Sequence, residues 1–205
     1  MDQAKNPTLE KILEVAKQEF MKSDYQTASL REIVKKAGLT TGAFYGYFKN
    51  KEQLFDALVS TEYEEIIQMY QDKLDMFFDF SPEDQYENMV PVTFDCMKRL
   101  KDYMYDHYDA VKLILCHSDG TKYKDFVHRM ATMDVQATHD FAKTIETVSS
   151  ESQKVNPVLE HILTSGMFTG FFELIVHDVS REDADEYIRQ LLDFYAAGWG
   201  EIMGF

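Results

Sequence analysis

The four residues Ala37-Gly38-Leu39-Thr40 have the types and order of a tight turn between two helices. A small residue lets the helices approach, glycine takes the turn, leucine plugs the space between them and threonine caps the second helix. A helix held in this way presents its first residues to base edges in a DNA major groove. That chemistry is short-range recognition of a polyanion, with no bond made or broken. An Ala-Gly turn also arises by accident in helical proteins, so the turn alone leaves both readings open. The other reactive residues point to less. His107, His117, His128, His139, His161 and His177 invite a metal, and His117, His128, Asp134 and His139 fall on neighbouring predicted helices. No two histidines lie four apart and there is no Cys-x-x-Cys, so no metal is expected. No Gly-x-Ser-x-Gly, glycine-rich phosphate loop or His-Glu-x-x-His occurs, so neither an enzyme nor a cofactor is expected. Cys96 and Cys116 read as free apolar thiols of a reducing cytoplasm.

The 205 residues carry a formal charge of −15, from 21 Lys and Arg against 36 Asp and Glu. Taken whole, that balance argues against a nucleic-acid binder. Position changes the picture. Residues 1–60 hold nine Lys and Arg and eight Asp and Glu, whereas residues 61–205 hold 12 and 28. Within 22–51, six basic residues face two acidic ones. A small, locally basic unit is joined to a large acidic one, and a repeat or low-complexity segment is absent. Charge farther than about 8 Å from a contact is largely screened at physiological salt, so the acidic remainder lowers non-specific binding without forbidding a local contact. No stretch of 18 apolar residues occurs, and Met1–Lys11 is polar, so neither a spanning helix nor a secretory signal is expected.

Helical periodicity dominates, and the expected fold is all-α with about nine helices. Asn6-Pro7 starts the first, with Leu9, Ile12, Leu13, Ala16 and Phe20 on one stripe. Ser29 opens the second, Thr40 the third (Thr41 to about Tyr47) and Asn50 a long fourth. Ser81-Pro82 starts a fifth, in which Pro91 predicts a kink or break. A helix around Tyr108–His117, one from Tyr123 to Val148, a linker over Ser149–Lys154, an apolar helix from Asn156-Pro157 and a last one from Ser180 complete the chain.

The stretch Thr40-Thr41-Gly42-Ala43-Phe44-Tyr45-Gly46-Tyr47-Phe48-Lys49-Asn50-Lys51-Glu52-Gln53-Leu54 resembles the DNA-binding domain of the TetR family of bacterial transcription regulators. Ile12, Ala16, Phe20, Tyr25 and Thr27-Ala28-Ser29-Leu30 fit the same pattern upstream, and the resemblance covers about residues 7–58. It implies a helix-turn-helix domain over 1–52 and a helical ligand-binding and dimerisation domain over 53–205. It implies DNA contacts at Thr27, Ser29, Thr40, Thr41, Gly42, Ala43, Tyr45, Tyr47 and Lys51. Tyr45 and Lys51 would meet phosphates, Thr40, Thr41 and Ala43 would lie near bases, and Phe44 and Phe48 would lock the recognition helix in place. Outside this motif Tyr45 and Tyr47 would read as plain surface tyrosines. Two departures stand out: Tyr47 replaces the family's usual histidine, and only Lys5 is basic ahead of the first helix. No Arg, Asn or Gln lies within 40–48 for bidentate base contacts, so methyl contacts and DNA shape would carry specificity.

The same resemblance implies an operator of double-stranded DNA, a homodimer and a small-molecule effector, with no membrane partner. Leu159, Leu163, Met167 and Phe171 form one stripe and Leu191, Tyr195 and Trp199 another, which suits either a dimer interface or internal packing. Met69, Met97, Tyr103, Met104, Phe126, Met130, Met133 and Phe168 suit either a core or an adaptable apolar pocket. The expected function is a ligand-responsive regulator, a repressor released by a mainly apolar small molecule. The alternative is an acidic interaction module that kept the fold and lost DNA binding.

Overall fold

The computed structural model describes residues 6–148 and 155–203, all of its regular structure helical. Lys5 and the expected linker over 149–154 lie outside the described residues. The helices are α1 (Pro7–Thr27), α2 (Leu30–Lys36), α3 (Thr41–Tyr45), α4 (Lys51–Phe78), α5 (Pro82–Asp106), α6 (Tyr108–Cys116), α7 (Phe126–Val148), α8 (Pro157–Val176) and α9 (Arg181–Met203). Most starts follow local chemistry. Asn6 accepts from the amides of Thr8 and Leu9, Ser29 from Glu32, Thr40 from Ala43 and Asn50 from Gln53, each satisfying an amide the helix leaves unpaired.

Three boundaries differ from expectation. Helix α3 stops at Tyr45, and α7 begins at Phe126 rather than Tyr123. Helix α5 runs through Pro91 unbroken. Pro91 and Glu87, whose carbonyl loses its donor, both face solvent, so water can satisfy that oxygen.

The chain divides into two compact units. The first comprises the residues up to Glu64 together with His107–Lys124, so α6 and the loop after it pack with α1–α3 and the start of α4. Its core holds Ile12, Phe20, Ile33, Phe44, Leu54 and Phe55, all at most 1% exposed. The ring of Phe20 meets that of Phe55 edge-on at 5.1 Å. The second unit holds the rest of α4, α5 and α7–α9. There α8 packs against α7 and α9. Among the described helices α8 is the one long and apolar enough to cross a bilayer, yet eight of its residues, Phe168, Phe171 and Phe172 among them, are buried within the unit. Its core includes two charged groups that periodicity did not reveal. Glu160 is paired with His139 at 2.5 Å, and the buried Lys101 with Asp185 at 2.5 Å and Asp102 at 2.9 Å.

Candidate nucleic-acid interface and apolar cavity

The turn between α2 and α3 depends on Gly38, whose φ of 74° is costly for any residue with a Cβ. Its amide donates to the Lys35 carbonyl and that of Leu39 to Val34, closing α2. Ala37 is buried beneath the turn. Helix α3 has five residues, far too few to be stable alone. Two rings anchor it: Phe44 is fully buried, Phe48 nearly so, and their centroids lie 5.8 Å apart.

With those rings turned inward, the other face of α3 is left to solvent. Thr27, Ser29, Thr40, Thr41, Gly42, Ala43, Tyr45 and Tyr47 are all exposed, Tyr45 by 54%. A Cβ added at Gly42 would meet nothing within 4 Å, so this stretch offers a low, open approach to backbone. The side-chain Nδ2 of Asn6, the cap of α1, donates to the Tyr47 hydroxyl at 3.5 Å.

Lys51 is placed differently from this exposed set. Its ammonium donates to the carbonyls of Tyr25 at 2.6 Å, Gln26 at 3.1 Å and Ala28 at 3.1 Å, and lies 4.6 Å from the centre of the Tyr25 ring. It closes the end of α1, and burial lowers its pKa from the ordinary lysine range. Lys36 is also engaged, 2.6 Å from Glu19. Among the described residues Lys22, Arg31, Lys35 and Lys49 are exposed without an ion-pair partner. With Lys11 of α1, which is likewise exposed and unpaired, they form the free positive charge among the described residues of the head. Sequence reasoning missed the Lys51 cap, because its three acceptors lie 23 to 26 residues away.

Residues 12–58 match the family model described as bacterial regulatory proteins, tetR family. The head thus resembles the helix-turn-helix of that family. YdgC of Bacillus subtilis, an uncharacterized HTH-type transcriptional regulator, is 42% identical over 50 residues, which are 24% of this chain and 26% of YdgC. The matches span between a quarter and a third of the length of the curated relatives. Salmonella enterica GusR superposes over 97% of this chain and 96% of its own, with a TM-score of 0.56 and 13% identity. A bacterial regulatory protein in the tetR family from Rhodococcus RHA1 superposes over 92% of this chain and 97% of its own, with a TM-score of 0.52 and 14% identity. The TetR-type head is thus matched in sequence, and the second unit in fold alone.

The second unit contains a cavity of about 120 Å³, open on one side to solvent and lined by side chains of α4, α5, α7, α8 and α9. Phe77, Phe78, Met89, Phe141, Met167 and Trp199 form much of its wall. The residues expected around a pocket stand elsewhere. Met97, Met104, Met130 and Phe168 are fully buried and Phe126 is 2% exposed, and none of these, nor Met69, Tyr103 or Met133, lines the cavity. Of the interface candidates, Met167, Tyr195 and Trp199 line the cavity, Phe171 is buried, Leu163 and Leu191 are half-buried, and Leu159 is exposed. Val158, Leu159 and Ile162 of α8 and Phe194 of α9 are large apolar side chains left to solvent. The histidines have protein partners: Asp24 for His117, Glu160 for His139, Glu173 for His177, Glu62 for His107, and ring contact between His128 and His161. No three His, Cys, Asp or Glu converge on a metal position among the described residues.

Proposed function

We propose that the chain is a DNA-binding transcription regulator, a repressor, acting in the cytoplasm as a homodimer on a palindromic operator. The observation that carries this is the face of α3. Its two anchoring rings point inward, and Thr40, Thr41, Gly42, Ala43 and Tyr45 are all exposed around a glycine open to close approach. On this reading the hydroxyls of Thr27, Ser29, Tyr45 and Tyr47 meet phosphates, and Thr40, Thr41 and Ala43 lie near bases. Residues 1–52 carry recognition and 53–205 carry dimerisation and response to a mainly apolar effector. The exposed apolar residues of α8 and α9 support the dimer. Two heads would then sit about one DNA turn apart, ~34–36 Å. An effector that binds the DNA-free form more tightly would release the operator.

Titration of the purified protein onto the DNA upstream of its own gene, and onto random-sequence libraries, tests this reading. A sequence-dependent shift that weakens steeply with salt is expected. Its absence on every sequence would overturn the proposal. It would favour an acidic interaction module instead, for which the inward-turned Lys51 is the supporting observation.

A further inference from the structure

The cavity of the second unit holds one cation and one carboxylate among the residues that line it, Lys73 and Asp134. They are not equally occupied. The Tyr70 hydroxyl donates to the Asp134 carboxylate. Tyr70 is fully buried, and burial holds its proton on, so that donor is permanent at any ordinary pH. The Lys73 ammonium has neither an ion pair nor a hydrogen-bond acceptor among the described residues. It lies 5.1 Å from the centre of the Tyr70 ring and 5.9 Å from that of Phe77. Ring faces attract a cation but accept none of its three N–H bonds. A half-buried ammonium against an aromatic wall therefore has unused capacity for an anion.

Size and wall set the rest of the ligand. The volume of about 120 Å³ is close to that of an engineered apolar cavity of roughly 150 Å³ that binds benzene. The cavity opens to solvent on one side, so this volume sets the size of the group that sits among the rings. Phe77 and Phe141 stand 5.5 Å apart between centroids, and Phe78 and Trp199 add further ring surface. Flat rings pack best in such surroundings. We propose that the cavity takes a compact aromatic carboxylate, its ring among the phenylalanines and Trp199 and its carboxylate on Lys73. The acidity of the unit as a whole does not oppose this. Solvated carboxylates beyond about 8 Å are screened, and the contact with Lys73 is local. The proposal rests on the reading of this unit as the effector-binding part of the protein.

Trp199 is the sole tryptophan of the chain and lies in the cavity wall, so its fluorescence reports occupancy directly. The full-length protein is titrated with benzoate, benzyl alcohol and benzylamine, three probes of nearly one shape and three charges. Benzoate is expected to change the Trp199 emission at a concentration about tenfold or more below that needed for the other two. Lys73→Met is expected to bring benzoate to the level of benzyl alcohol and to leave benzyl alcohol unchanged, which also shows that the variant keeps its fold. If benzyl alcohol binds and benzoate binds no better, or benzylamine binds best, the carboxylate assignment falls and the cavity remains a ligand site. If no probe alters Trp199, the cavity is not a ligand site, and the effector reading of this unit falls with the proposal.

Discussion

The imidazole Nδ1 of His117, at the end of α6, lies 2.5 Å from the carboxylate of Asp24, the residue at which α1 breaks. A second bond runs beside it, from the Tyr25 amide to the His117 carbonyl at 3.0 Å. Asp24 has φ 55° and ψ 163°, a backbone conformation that only glycine adopts freely, and costs of about 1–3 kcal/mol attach to such residues. The tail of α1 is therefore held in a strained path by the end of α6. Asp24→Gly removes the strain and the carboxylate together, so its stability should stay within about 1 kcal/mol of the parent. In a His117→Phe background, where there is no bond left to lose, the same change should stabilise by about 1 kcal/mol. Urea unfolding of the four proteins checks this. Equal effects of Asp24→Gly in both backgrounds would show that the pair is not coupled.

Lys51→Met should destabilise the first unit by about 1–3 kcal/mol, because three carbonyls lose their donor. If Lys51 acts through this cap, DNA affinity falls in step with stability and the salt dependence of binding is retained. A lysine that instead met a phosphate would lower the salt slope by about one on substitution and leave the urea midpoint in place. Unfolding curves and salt titrations of one variant separate the two roles.

Tyr45→Phe should weaken binding by about fivefold on every DNA sequence alike, the loss of one hydroxyl contact. Its unfolding midpoint should not move, since the side chain is 54% exposed. Thr41→Val should instead change the ratio of affinities between sequences. Binding measured on a selected site and on two single-base variants distinguishes them. If both substitutions act uniformly, Thr41 faces backbone.

The buried Lys101 makes a prediction about acid. Its hydrogen bond lowers the pKa of Asp102 from the ordinary carboxylate value. A group whose folded pKa is depressed stabilises the protein above its unfolded pKa, and that contribution is lost as pH falls through the folded value. Lys101→Met removes a buried ammonium and leaves Asp185, 61% exposed, to water, and Asp102, 46% exposed, to water and to Arg181 at 3.3 Å. Near neutral pH the change in stability should be within about 1 kcal/mol. Between about pH 5 and pH 3 the variant should lose less stability than the parent. Urea midpoints across that range test the sign; a steeper acid loss in the variant would refute it.

Helix starts were legible in the sequence because a cap is local chemistry: Asn6, Ser29, Thr40 and Asn50 each bind an amide two or three residues on. The exposed set on α3 was legible through its resemblance to a family pattern. The Lys51 cap and the break at Asp24 were not, since both are made with residues distant along the chain. The cavity was hidden for another reason. Methionine and aromatic residues at helical spacing mark an apolar face, and spacing does not say whether that face is filled. Met97, Met104 and Met130 fill the core, whereas Phe77, Phe141 and Trp199 border a space. Lys73 went unremarked because a single lysine on an acidic helix reads as solvated.

The five residues of α3 divide their duties cleanly. Phe44 holds the helix to the core, while Thr41, Gly42 and Ala43 have no packing to protect. If α3 reads DNA as proposed, a change of address is therefore open to this protein without a change of foundations. Substitutions at these three positions could redirect it to a different stretch of genome while its melting temperature stays where it is. Alteration of Phe44 would cost the head before any new site could be read.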